Sequence, residues 1–119
     1  MLSGLQVKGR HNMQVMIQYD GFTVSRLSRI YNFQVADSAS HLRQFSVEVS
    51  LQFFHATGLK FQDAPLITRE RLEQELEEET DESRAETRMR IADTDILQYL
   101  EKHYPPKVRR GLLPRSPSR

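Results

Sequence analysis

The sequence predicts an α+β domain in which a small, mostly antiparallel sheet of three or four strands packs against two C-terminal helices. Three observations predict it. Residues 31–35 and 45–51 alternate apolar and polar side chains around a Ser/Asp-rich turn, the period of a sheet with one buried and one wet face. Near the C-terminal end, Ile96, Leu97, Leu100, His103 and Tyr104 fall at helical spacing before Pro105-Pro106. At 119 residues there is room for a single core of modest size.

Residues 1–12 read as a polar extension, and the domain as 13–104. Met13, Val15, Ile17 and Tyr19 lie on one side of a first strand. Asp20-Gly21 then offers a dipeptide that accepts positive φ, so Phe22-Thr23-Val24 is expected to turn back on it. The next pair is a hairpin, with Tyr31, Phe33 and Val35 on one arm and Phe45, Val47, Val49 and Leu51 on the other. Phe22 and Val24 have the opposite parity to Tyr31 and Phe33. A strand continuing from one to the other therefore requires a bulge or break near 25–28.

Residues 52–67 form a connector, and Pro65 opposes a helix through the residue before it. Thr68 is the expected N-cap of the first helix, near 68–80. Leu72 and Leu76 share a face, but the same stripe continues as Glu79, Thr80 and Ser83, so the apolar face ends at Leu76. The acidic run that follows reads as a solvated helix face and then a polar link, not as a docking surface. Arg88-Met89-Arg90-Ile91 resumes alternation as a short edge strand whose arginines discourage further pairing. Asp93 or Thr94 caps the last helix, near 94–104. Residues 105–119 are a Pro/Ser-rich basic tail expected to be disordered. The predicted core is Val15, Ile17, Tyr31, Phe33, Val35, Phe45, Val47, Val49, Leu72, Leu76, Ile96, Leu97 and Leu100.

Charge is unevenly distributed behind a formal net of +1. Residues 68–86 hold nine acidic against three basic side chains, whereas residues 87–119 hold eight basic against three acidic. The absence of cysteine removes disulfides, thiolate metal sites and cysteine nucleophiles. No run of eighteen apolar residues occurs, so no membrane partner is expected, and an opening without an apolar leader fits a cytoplasmic protein.

Chemistry-bearing motifs are sparse. His11, His41, His55 and His103 are scattered without metal-ligand spacing, so neither a metal nor a cofactor is expected. No nucleophile elbow or phosphate-cradling glycine loop is present, and Phe61-Gln62-Asp63 before Pro65 reads as an Asx-type turn. The motifs resemble those of no particular family.

The expected function is a non-enzymatic binding or assembly module with a protein partner or a second copy of itself. The alternative is a small nucleic-acid-binding protein. In that reading the tail supplies Lys107, Arg109, Arg110 and Arg115, while the sheet presents Arg26, Arg29 and Arg43 among Tyr31, Phe33 and Phe45. Those aromatics alternate as core residues do, which favours the first reading. An enzyme built around Asp63 or a histidine lacks a nameable acid, base and nucleophile.

Overall fold

A computed structural model describes residues 6–8, 14–37 and 41–105. In chain order the elements are β1 (Gln6–Lys8), β2 (Gln14–Val24), β3 (Ser28–Asp37), β4 (Leu42–Ser50), α1 (Phe53–Ala56), α2 (Ala64–Glu77), β5 (Arg88–Arg90) and α3 (Asp93–His103), with a 3₁₀ turn at Phe61–Asp63 leading into α2. The strands form one sheet in the order β1-β2-β3-β4-β5. Every neighbouring pair is antiparallel except β4 and β5. That parallel pair is joined by the long connection carrying α1 and α2, as parallel pairing requires. The fold is α+β, with the helices following the four N-terminal strands and packing on one face of the sheet. Among the described residues no helix is long and apolar enough to cross a membrane.

Alternation decides which face is covered. Tyr31, Phe33 and Val35 on β3 oppose Val47, Phe45 and Arg43 on β4, and Met89 on β5 joins the row at Val47. Apart from Arg43 these side chains are buried with Val15 and Ile17 of β2. The other face carries Gln18, Gln34 and Gln44 in one cross-strand row and Asn32 beside Ser46 in the next, none of them fully buried.

α2 buries Ala64, Ile67, Thr68, Leu72 and Leu76 at the three- and four-residue spacing of a single stripe. Thr68 is inside this helix, which begins four residues earlier than its expected cap. The Thr68 hydroxyl donates to the Ala64 carbonyl at 2.7 Å, so it satisfies its own burial instead of capping a terminus. Pro65 is compatible with the earlier start because a proline in the first turn lacks only an N–H that has no partner there. α3 begins at Asp93, and the Asp95 carboxylate accepts the Ala92 N–H at 2.8 Å. The covered side of α3 is set by Ile96 and Tyr99, with Leu100 partly buried. Leu97, placed in the core on spacing alone, points outward and is 66% exposed.

The expected turn at Asp20-Gly21 is a bulge inside one continuous strand. Tyr19 pairs with Phe33 and Phe22 with Tyr31, so two residues of β2 stand opposite Asn32. Gly21 takes φ +89° there, a conformation open to glycine at little cost. The chain actually reverses at residues 25–27, where the Ser25 N–H donates to the Ser28 carbonyl at 2.8 Å. The parity break expected near 25–28 is this reversal. Because the bulge adds one residue, Tyr19 and Phe22 keep their side chains on the same face.

Gly21→Ala should lower stability by about 1–2 kcal/mol, although a Cβ at Gly21 meets nothing within 4 Å. Gly58→Ala should be neutral or stabilising by up to about 1 kcal/mol. Urea denaturation of both variants checks the contrast.

Candidate interaction surface

The sequence directs attention first to Asp63 and the histidines. Asp63 is buried, and its Oδ1 accepts the hydroxyls of Tyr99 at 3.1 Å and Tyr104 at 2.7 Å. Its Oδ2 accepts the Lys60 N–H at 3.0 Å, closing the turn expected before Pro65. Burial first, then the charge and hydrogen bond of Asp63, push the Tyr99 phenol far above its ordinary value. His103 contacts Glu70 at 2.9 Å and lies tilted against Tyr99 with ring centres 4.3 Å apart. These contacts fasten the end of α3 to α2 and the connector. His55 is exposed on α1, and His41 pairs with Asp37 at 3.4 Å. Among the described residues no group of three or more His, Asp or Glu could hold a metal ion. A groove of about 230 Å³ between α2 and α3 is lined by side chains that include Glu70, Arg71, Asp95 and Lys102, with no Ser, Thr or His among its lining residues.

The sheet arginines separate. Arg26 is exposed in the 25–27 reversal. Arg29 and Arg43 share the helix-covered face, but they oppose Val49 and Val35 respectively. That offset of six residues along β3 corresponds to about 20 Å. Arg43 also grips Glu79 with two hydrogen bonds, at 2.7 and 3.2 Å. Lys107, Arg109, Arg110, Arg115 and His11 lie outside the described residues.

Glu79 corrects the reading of the acidic run as wholly solvated. It is 8% exposed and also accepts the Arg84 side chain at 2.8 Å and the Ala85 N–H at 3.0 Å. Burial pushes its carboxyl up, but the hydrogen bonds from Arg43, Ala85 and Arg84 and the Arg43 charge outweigh that and hold it at about 2. One carboxylate thus pins the linker after α2 to β4. The rest of the run behaves as expected, with Glu77, Glu78, Asp81 and Glu82 exposed.

What the structure brings together is at the far end of β2. Tyr19 is 38% exposed, Phe22 43%, Val24 68%, Leu27 75% and Phe61 45%. The Arg29 guanidinium lies over the Phe22 ring at 4.4 Å and the Phe61 ring at 4.1 Å, and donates to the Tyr31 hydroxyl at 3.3 Å. Phe22 leans on Tyr31 with ring centres 5.3 Å apart, Tyr19 on Phe33 at 5.4 Å, and Phe54 stacks on Phe61 at 4.4 Å. Cation–π contact on two rings fixes the arginine. Among the described residues no carboxylate lies within ion-pair distance of it.

The patch borders an open strand edge. β1 pairs with β2 only at residues 14–16. Among the described residues, the outer side of β2 from residue 17 to 24 has no strand partner. The segment contains one charged side chain, Asp20, where exposed edges ordinarily carry more.

No protein-family model, curated protein or solved structure matches the chain. Of the residues in this patch the sequence singled out Arg29, as a nucleic-acid contact, but not Phe22, Val24, Leu27 or Phe61. The available signal was Phe22 and Val24 themselves, two apolar side chains after a glycine that permits a bulge.

Glu79→Gln should destabilise the fold by roughly 3 kcal/mol at neutral pH. The sign follows from linkage: a carboxyl held below its unfolded value stabilises above that value, and the contribution is lost as pH falls from 4.5 towards about 2. Thermal melts across that range should show a steep acid loss in the parent protein and a shallower one in the variant.

Proposed function

We propose that this protein is a non-enzymatic protein-binding module whose partner docks on the open half of β2 and the aromatic–arginine patch beside it. The observation that carries the proposal is the juxtaposition of Tyr19, Phe22, Val24, Leu27 and Phe61, all more than a third exposed, with a strand edge that has no partner among the described residues. Contiguous exposed apolar surface is rare on proteins that act alone. Aromatic and arginine side chains are the types enriched where proteins meet. An extended segment can add to the edge through backbone hydrogen bonds and set its apolar side chains against the patch.

The nucleic-acid reading draws less support. It needs a continuous basic surface, yet Arg43 is tied to Glu79 at the opposite end of the sheet from Arg29. Base stacking on Phe22 and Phe61 is the form it would take.

Panning a random-peptide library against the full-length protein tests the proposal. Enriched peptides should bind Phe22→Asp at least about tenfold more weakly than the parent, while Leu97→Asp, on an exposed helix face, should bind them normally. Peptides indifferent to Phe22 would contradict the proposal. Failure of peptide binding together with Phe22-dependent binding of single-stranded RNA would replace it with the nucleic-acid reading.

A further inference from the structure

We infer that the occupant of the open β2 edge is the same edge of a second copy, paired antiparallel about a twofold axis that passes between Asp20 and Gly21. The inference rests on the protein-binding reading of this surface and names its partner.

Strand register selects this partner. On the helix-covered face β2 presents Ile17 and Tyr19 before the bulge, and Phe22 and Val24 after it. The bulge shifts the side-chain alternation by one residue. Two copies of the segment can therefore pair face to face on both sides of the bulge only if the bulges oppose one another. With the axis at Asp20-Gly21, Tyr19 stands opposite the second copy's Phe22 and Ile17 opposite its Val24, each pair occurring twice. On the other face Gln18 meets Thr23, also twice. Against β3 the bulge sets two residues opposite Asn32, whereas against its own copy it sets two residues opposite two.

Neighbouring registers are worse. A shift of one residue sets apolar side chains opposite polar ones from the other face. A shift of two opposes Gly21 to Phe22, or Asp20 to Tyr19, and breaks the aromatic pairs. In the self-matched register four apolar cross-strand pairs form without opposing like charges directly, and each such pair stabilises an antiparallel edge. The two sheets then continue as one, with both arginine–aromatic patches on the same face beside the junction. Isologous pairing of this kind closes after two copies, so the edge is consumed and does not propagate.

The chain contains no cysteine, which allows a direct test. Gln18→Cys and Thr23→Cys replace exposed side chains, leave the aromatic residues intact, and are made in separate full-length proteins. Directly opposed residues have the Cα separation that a disulfide spans, whereas residues displaced by several positions do not. An oxidised equimolar mixture should yield a disulfide-linked dimer, and each variant alone should remain at background. Sedimentation of the cysteine-free protein should show a concentration-dependent dimer, weakened by about tenfold or more in Phe22→Asp.

A dimer in which Gln18→Cys cross-links with itself, or in which the mixture does not cross-link, overturns the register. A chain that sediments as a monomer throughout the micromolar range overturns the second copy as occupant. If Phe22-dependent peptides are still enriched from the library, the protein-binding reading stands and only the choice of partner has failed. If those are absent as well, both have failed.

Discussion

The structure depends on a mismatch of lengths. β2 has eleven residues and α2 fourteen, which correspond to about 36 Å of strand and about 21 Å of helix. α2 is the principal cover: it lies against β4 and reaches β1 across the near end of the sheet, and α3 packs on α2. Where the cover reaches, burial is complete, with Tyr31 and Phe33 at 0% exposure. Beyond it, on the same face, the 3₁₀ turn brings Phe61 under Arg29, Phe54 of the short α1 stacks on Phe61, and the last residues of β2 stay exposed. The aromatic–arginine patch is therefore where a small helical layer stops short of a longer strand.

A second constraint fixes the opposite end. The apolar stripe of α2 finishes at Leu76, so packing alone cannot direct the chain from there to β5. Glu79 supplies the direction by reaching Arg43 on β4 while collecting Arg84 and the Ala85 N–H. Ala85 and Met89 are then laid against the core, and β5 joins β4 in parallel. The same contact removes Arg43 from any basic surface. Charge at the two ends of this sheet thus plays different parts: Arg43 is paired with Glu79 and structural, whereas Arg29 is held by π faces with no carboxylate at ion-pair distance among the described residues.

Much of the fold was legible in the sequence because one physical signal dominated it. Period-two alternation in β3 and β4, helical spacing in α3, and the resumption of alternation at Met89 each followed from one-sided burial. The errors arose where two signals compete. Asp20-Gly21 permits both a hairpin turn and a bulge, and only the pairing of β2 with β3 on both sides chooses between them. Thr68 is a good cap and also an adequate buried residue once its hydroxyl finds the Ala64 carbonyl. Leu97 and Tyr99 are two residues apart on α3, and the partner that selects Tyr99 is Asp63, distant in sequence. Glu79 looked solvated because Arg43, the arginine that ties it to the sheet, lies 36 positions away. The patch was the least legible feature, since exposure depends on where a neighbouring helix ends, which no local pattern records.

The central proposal is that the outer edge of β2 from residue 17 to 24, which has no strand partner among the described residues, is the place where a partner strand adds. Amide hydrogen exchange followed by NMR at increasing protein concentration tests it most directly. In dilute solution, alternate amides of residues 17–24 should exchange much faster than those of β3, and their protection should rise with concentration while α2 and α3 stay unchanged. Protection already equal to that of β3 at high dilution, or concentration-dependent protection confined to the helices, would contradict the account.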